Sequence, residues 1–367
     1  MTLSSLSIRD CRNLEAVDIQ LAAGLNLFVG PNGAGKTALL EAVHVLSRGR
    51  SFRSSQATRV IRRDQPEMIV RAGISRDSGP SAQLSVARPR RGATRVHLDG
   101  DPMPGGVSAA SKLLPVQVML PGVSDLVFAG PADRRRWLDW GVFHVEPLYL
   151  RTWRGYHQLL KQRNARLKQL PPGTSSDSVL ETFTDQLVAA AEPLALLRRS
   201  YVASWLPYFA ETLRKLDLTL SALAPELNEY GASDRDELAD LMSQNRSRDV
   251  KLGVTHSGPH RFDLVLKLFD RPVGESLSRG QGKTVALAMM QSQAEFLAAK
   301  TGQNSLFLID DAGAELDRDH NASFFEALAD TNAQIMATCT EEPWTGAAYP
   351  GLERALFHVE QGQITRE

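Results

Sequence analysis

Only two cysteines occur in the 367-residue chain, Cys11 and Cys339, too few for a disulfide framework or a four-cysteine zinc site. A reducing, cytoplasmic setting is the expectation. No 18 consecutive apolar residues occur, so no membrane span is expected. The first residues read as an alternating strand (Leu3, Leu6, Ile8) interrupted by Arg9 and Asp10, with no signal-peptide core. Net charge is absent as well: 42 Lys+Arg balance 42 Asp+Glu, so a nucleic-acid partner has to be met by a local patch. Heptads sustained over a long coiled coil are also missing. What remains is ordinary globular composition, in a chain long enough for two domains or for one with a sizeable insertion.

Against those absences stands Gly30-Pro31-Asn32-Gly33-Ala34-Gly35-Lys36-Thr37, which fits the phosphate-binding pattern G-x-x-x-x-G-K-[ST] at every fixed position. Leu25, Leu27, Phe28 and Val29 before it suit a buried strand, and Leu39, Leu40, Val43 and Leu46 after it recur at helical spacing. The glycines let several backbone N–H groups point at one anion near the helix N-terminus. Lys36 is placed to reach the β- and γ-phosphates of a nucleotide, and the Thr37 hydroxyl to hold Mg²⁺.

Strand texture dominates residues 1–120, with strands read at 14–21, 67–75 and 82–87. Arginines cluster at Gly49-Arg50-Ser51-Phe52-Arg53, at Arg59, Arg62 and Arg63, and at Arg88-Pro89-Arg90-Arg91-Gly92, an exposed hairpin tip. That tip suits a solvated turn at least as well as a DNA contact. From about Pro121 the pattern turns helical, opening with Pro131-Ala132-Asp133-Arg134-Arg135-Arg136-Trp137-Leu138. Residues 151–170 carry Arg151, Arg154, Lys161, Arg163, Arg166 and Lys168 and no acid. Arg154, Lys161 and Lys168 recur every seven positions on one helix face, with Trp153, Tyr156, Leu160 and Leu167 on another. A second helical run, 179–220, is expected to pack back on the first, and 226–240 are acid-rich. The basic face serves a solvated surface or a DNA contact, and both readings stay open.

Three clusters follow. In Thr255-His256-Ser257-Gly258-Pro259-His260-Arg261-Phe262-Asp263, Gly258-Pro259 break the helix that a two-histidine zinc site requires. A tight turn presenting His260 and Arg261 to a phosphate or to the core is expected instead. Leu277-Ser278-Arg279-Gly280-Gln281-Gly282-Lys283 precedes a buried helix. Ser278, Gly280 and Gln281 there form a second anion-binding helix end, unless Ser278 is simply an N-cap. Finally, Ser305-Leu306-Phe307-Leu308-Ile309-Asp310-Asp311 reads as a central strand ending in two carboxylates, followed by Glu315-Leu316-Asp317. Asp310 suits the Mg²⁺ shell, and Asp311 suits orienting or deprotonating a water. The closing strands are expected at 334–338 and 354–364.

A head with its own phosphate loop and a separate anion-binding helix end is self-complementary. Two copies related by a twofold axis can hold two ATP molecules, each between one loop and the other copy's Ser278 region. Closure on the γ-phosphate and release on hydrolysis make such a dimer a switch.

In order, 30–37, 277–283, 310–311 and 315–317 match the Walker A, signature, Walker B and D-loop positions of ABC-type ATPases. With 255–261, 49–53 and 134–139 added, the chain closely resembles, end to end, the RecF family of bacterial recombination mediators, related to SMC heads. The resemblance implies an α/β ABC/SMC-type ATPase head (lobe I) carrying an inserted, mainly helical arm (lobe II). Its boundaries are 1–120 and 251–367 for the head and 121–250 for the arm. It further implies a weak DNA-dependent ATPase using ATP and Mg²⁺, an ATP-dependent homodimer on double-stranded and gapped DNA, and RecR, RecO and RecA as partners. Two departures from the family stand out: Pro121-Gly122-Val123-Ser124-Asp125-Leu126 where Pro-Glu-Asp-Leu is usual, and Phe262 in place of Asp. Residues 338–341 also lack the γ-phosphate-sensing His of transporter-type ATPases, an absence the resemblance implies is normal and consistent with slow hydrolysis. A transporter ATPase keeps loop and signature much closer than the roughly 240 residues here. An SMC bridging protein needs a longer arm than this proline-broken one, and an ABC-type nuclease needs an acidic cleavage motif that does not stand out.

Overall fold

Alternating apolar residues at the start of the chain give an antiparallel sheet, and the later all-apolar runs give buried parallel strands. The computed structural model describes residues 2–54, 56–75, 80–174, 176–229, 234–312, 328, 331–340 and 353–367. β1 (Thr2–Cys11), β2 (Leu14–Gln20) and β3 (Leu25–Val29) lead to α1 (Lys36–Arg48). Next come β4 (Glu67–Ser75), β5 (Ala82–Pro89), β6 (Arg95–Leu98), β7 (Asp101–Pro102), α2 (Val107–Leu113) and β8 (Val116–Met119). The middle contains α3 (Asp125–Phe128), α4 (Pro131–Val145), α5 (Tyr149–Leu167), α6 (Ser178–Leu216), β9 (Leu223–Asn228), α7 (Arg235–Gln244) and α8 (Arg246–Leu252). It continues through β10 (Asp263–Leu268), β11 (Arg271–Pro272), α9 (Val273–Ser276) and α10 (Arg279–Thr301). The chain closes with β12 (Leu306–Ile309), β13 (Gln334–Cys339), β14 (Arg354–Glu360) and β15 (Gln363–Arg366).

Two compact units result, one of residues 1–123 with 294–367 and one of residues 124–293. The expected boundary at 250 therefore moves: residues 251–293 pack with the middle of the chain. The physical reason is a β ladder, because β10 pairs antiparallel with β9 from Asp263↔Asn228 to Leu268↔Leu223. Arg134 on α4 reinforces it with a two-pronged bond to Asp263, both contacts at 2.8 Å.

The first unit has a six-stranded antiparallel sheet, β2-β1-β4-β5-β6-β7, and a six-stranded sheet in the order β15-β14-β3-β13-β12-β8. In the second sheet β14, β3, β13, β12 and β8 are parallel neighbours, with β15 antiparallel at the edge. Every residue of β12 and β13 is buried, as strands covered on both faces should be. α1 is buried on almost every side, and its Leu39, Leu40, Val43 and Leu46 join Leu3, Leu6, Ile8, Phe28 and Phe357 in one core. Phe28 and Phe357 stack with centroids 4.7 Å apart.

In the second unit α5 packs on α6, which runs for 39 residues straight through Pro193 and Pro207. α6 is the second helical run expected at 179–220, and Pro171-Pro172-Gly173 lie, as expected, in the turn that follows α5. Each proline within α6 removes one backbone donor, while Leu187, Leu194, Tyr201, Trp205, Phe209 and Leu213 bury the same helix and hold it together. Trp205 meets Trp137 of α4 at 4.8 Å.

Candidate nucleotide-binding site

The loop between β3 and α1 is shaped by what surrounds it. Gly30 N–H donates to the Cys339 carbonyl of β13 at 3.3 Å, and Gly362 N–H donates to the Ala34 carbonyl at 2.8 Å. A Cβ on Gly30 would lie 2.1 Å from the Val359 carbonyl oxygen, so no side chain fits there. Gly35 has φ 121°, and its Cβ would meet Leu14 at 2.7 Å. Lys36 is 8% exposed, and its ammonium donates to the carbonyls of Gly30 at 2.6 Å and Pro31 at 3.1 Å. It therefore folds back over the loop it belongs to.

The strand order places β13 between β3 and β12, and that neighbourhood assembles the other groups. Thr37 Oγ1 donates to Asp310 Oδ1 at 3.0 Å, and Thr338 Oγ1 of β13 donates to the same oxygen at 2.9 Å. The Thr338 hydroxyl also accepts from Asp311 N–H at 2.9 Å. Asp311 sits at φ 54°, a left-handed turn off the strand end. These residues share an open cavity of about 290 Å³, further lined by Arg12, Asn13 and Arg53. Residues 315–317 lie outside the described residues, as does Glu341 of the 338–341 segment.

Sequence reading missed Thr338, Arg12 and Asn13. Arg12 follows β1 at φ 53° and donates two bonds to Glu41, each 2.8 Å, which hold the guanidinium firmly charged. Glu41 is fully buried on α1 and also accepts from the Ser51 hydroxyl, which itself accepts from the N–H groups of Arg53 at 2.9 Å and Ser54 at 3.0 Å. Thr338 had a readable signal, a hydroxyl ending an apolar strand. Arg12 had none, because its partner lies 29 residues away. Both cysteines are buried, and burial pushes the Cys11 thiol far above its usual range.

In the second unit Ser278 and Gln281 cap α10 reciprocally. Ser278 N–H donates to Gln281 Oε1 at 3.0 Å, and Gln281 N–H donates to Ser278 Oγ at 3.2 Å. Ser278 and Gly280 are exposed to solvent.

The 255–261 segment is an internal brace. Tyr156 OH meets His260 Nδ1 at 2.7 Å, and His260 Nε2 donates to the Thr255 carbonyl at 3.0 Å, so His260 serves the core. Burial holds its ring down to about 4. His256 contacts Asp249 at 2.8 Å, and no acid, histidine or cysteine cluster suited to a metal occurs among the described residues. Phe262 lies under the Arg198 guanidinium at 3.9 Å. Arg198 also bonds Asp139 at 2.7 Å, so its charge is held between a carboxylate and an aromatic face.

The basic run on α5 divides. Arg151, Arg154, Lys161 and Lys168 are exposed, as the sevenfold spacing predicts for three of them. Arg163 is not on that surface: it is 1% exposed and donates to Asp249 at 2.8 Å, Thr255 at 2.7 Å and Thr184 at 3.0 Å. Arg166 bridges to Asp177, whose bonds from Arg166 and from Leu180 N–H hold it down to about 2.

A phosphate-type loop, a carboxylate pair two strands away and a helical insertion ahead of a capped helix fit an ABC/SMC-type ATPase head. The family described as RecF/RecN/SMC N terminal domain matches residues 2–364. Proteins named DNA replication and repair protein RecF from Shewanella denitrificans and Stutzerimonas stutzeri are 36% and 37% identical. Both alignments cover 100% of this chain, with 99% and 98% of the relatives' own lengths. A solved structure described as the recombination mediator protein RecF-ATPrS in the RecFOR pathway superposes with TM-score 0.86 at 24% identity. It covers 99% of this chain and 97% of its own. An Smc head bound to the C-winged helix domain of ScpA gives TM-score 0.57 at 13% identity, covering 100% and 97%. The chain belongs to the RecF family.

Proposed function

We propose that this chain is an ATP-dependent DNA-binding protein of recombinational repair whose head dimerises around ATP. The observation that carries the reading is the meeting of Thr37 and Thr338 on one oxygen of Asp310, in the cavity that Lys36 borders. ATP fits with its phosphates over the 30–37 backbone, where Gly30, Pro31, Asn32, Gly33, Ala34 and Gly35 supply the curvature and Lys36 the charge. The donor set suits Mg²⁺: a hydroxyl and a carboxylate oxygen are hard ligands, and this ion takes few protein ligands beside phosphate and water. Bound there, it would neutralise developing phosphate charge. Asp311, held at its N–H by Thr338, is placed to orient or deprotonate the attacking water. Ser278, Gly280 and Gln281 of a second copy complete the phosphate shell, so each ATP joins two chains.

Slow hydrolysis then releases a dimer gripping duplex or gapped DNA. RecO, RecR and RecA are the partners that membership of the family suggests. The backbone-directed chemistry of a basic surface favours structure-selective over sequence-selective binding. ATP titration combined with sedimentation is the test. Lys36→Ala should abolish ATP binding, and Ser278→Arg should bind ATP yet remain monomeric. A normal ATP-dependent dimer of Ser278→Arg, or a wild-type monomer at saturating ATP, sinks the sandwich.

A further inference from the structure

Several arginines of the first unit are matched to carboxylates: Arg9 to Asp18, Arg12 to Glu41, Arg62 to Glu15 and Arg95 to Glu67. Arg48 and Arg50 are not. Arg48 ends α1, Gly49 turns the chain at φ 64°, and Arg50 follows at once, exposed. Among the described residues neither guanidinium has a carboxylate or a hydrogen-bond acceptor. Burial, and then the charge of Arg50, hold Arg48 down to about 10, the sign of a cation lacking its anion.

A third cation faces the same turn. Arg88 on β5 donates to the Gly49 carbonyl at 3.4 Å and to Thr94 Oγ1 at 2.5 Å, leaving its buried Nε without a partner. The backbone here is fixed rather than loose. His44 Nδ1 donates to the Arg50 carbonyl at 2.6 Å, and the next residue, Ser51, is bonded to buried Glu41. Two residues beyond Arg88, Arg90 ties the hairpin to the neighbouring loop through the carbonyls of Gln65 and Arg62. Arg63 of that loop is 95% exposed.

We propose that the Arg48–Arg50–Arg88 cluster, gathered around Gly49 in the first unit, binds the phosphate backbone of duplex DNA. The proposal rests on the DNA-binding reading above and gives that partner a surface apart from the α5 face. Guanidinium groups suit this role because their planar forks match phosphate oxygens in pairs. A chain with no net charge also needs a local excess of cations to hold a polyanion. The segment has a second end: Arg53, three residues after Arg50, lines the nucleotide cavity. One short stretch, pinned by Ser51 and Glu41, therefore carries both the cluster and part of the cavity wall.

The test is DNA affinity of the full chain at saturating ATP, measured by anisotropy on a labelled duplex through a salt series. Each lost phosphate contact makes the slope of log K against log salt shallower by about 0.9. Arg50→Gln, at an exposed position whose side chain braces nothing, should lose about 0.9. The triple variant Arg48→Gln, Arg50→Gln, Arg88→Gln should lose roughly 2 to 3, with ATP affinity unchanged. The corresponding triple lysine variant, which keeps the charge should the glutamine triple misfold, retains most of the slope. An unchanged slope in Arg50→Gln beside a steep wild-type slope overturns the proposal and leaves the cluster to an acidic protein partner. Loss of slope only in Arg154→Gln, Lys161→Gln, Lys168→Gln overturns it as well. A wild-type chain with no ATP-dependent DNA binding defeats the functional reading itself, before any variant is made.

Discussion

Replacing Arg163 with methionine separates a structural cation from a functional one. The methionine keeps most of the apolar stem, so the change removes charge and hydrogen bonds rather than volume. Arg163 is 1% exposed and Asp249 is 0% exposed, with their contact at 2.8 Å. Taking away one partner of such a pair strands the other, which costs ~3–5 kcal/mol. Two features bear on the value. Asp249 keeps the bonds from His256, at 3.1 Å from its N–H and 2.8 Å from its ring. Against that, Thr255 and Thr184 each lose a donor. A loss of ~3 kcal/mol lowers the melting temperature by roughly 6–12 °C in a unit of this size. Urea unfolding of the nucleotide-free protein measures it, and Arg163→Met combined with Asp249→Leu should recover much of the loss, because no buried charge is then left alone. If Arg163→Met is as stable as wild type yet has a shallower salt slope for DNA, the buried-pair argument is wrong and this arginine belongs to the basic surface.

Acid should weaken the fold in a defined window. Burial first, opposed by backbone hydrogen bonds, holds His44 and His260 down to about 4 in the folded chain, below the ordinary 6.5. The unfolded chain therefore binds more protons between those values, and stability falls as pH drops from about 6.5, levelling near 4. A His44→Asn, His260→Asn variant with the same decline between pH 6.5 and 4 would contradict this. Gly30→Ala should cost ~1–3 kcal/mol and weaken ATP binding, since the new methyl meets the Val359 carbonyl at 2.1 Å. Gly33→Ala has open space around its Cβ at φ 82°, so it should cost only ~1–2 kcal/mol of backbone strain. Calorimetry on both variants checks the order.

What the sequence made legible were features whose cause is local. The strand–loop–helix around Gly30 to Thr37 was readable because a fixed Gly, Lys and Thr pattern stands between a short apolar run and apolar residues at helical spacing, and β3 and α1 lie on either side of it. β12 with its terminal Asp310 and Asp311 was readable for the same reason. Failures came where the partner is remote. Arg163 shares a helix and a charge with Arg154 and Lys161, and only a contact 86 residues away removes it from the surface. The boundary at 250 failed because β9 and β10 join across about 35 residues that read as acidic loop and turn. Arg12 and Asn13, in the turn between β1 and β2, and Thr338, on β13, reach the cavity from opposite ends of the chain, an arrangement that periodicity cannot encode.

Ser278 was read as either an ordinary N-cap or a ligand for a second copy's phosphate, and the geometry lets both hold at once. Its Oγ spends an acceptor site on Gln281 N–H, and Gln281 in return closes Ser278 N–H. A hydroxyl accepts and donates through different positions, so the cap leaves its proton unspent. The first intrahelical bond runs from Gly282 N–H to the Ser278 carbonyl at 2.9 Å, so the N–H groups of Arg279 and Gly280 precede it. Among the described residues neither has an acceptor, and Gly280 places no side chain in front of them. The capping box thus fixes the helix end rigidly while keeping a hydroxyl proton and two amide donors turned to solvent. An anion brought by a second copy would meet donors already in place, with little ordering cost left to the moment of closure. On this reasoning Ser278→Ala and Ser278→Arg should differ in kind. Alanine loses a cap and one donor and weakens the dimer, whereas arginine blocks the approach and abolishes it. Equal dimer constants for the two variants, by sedimentation with ATP, would show that Ser278 does no more than end its helix.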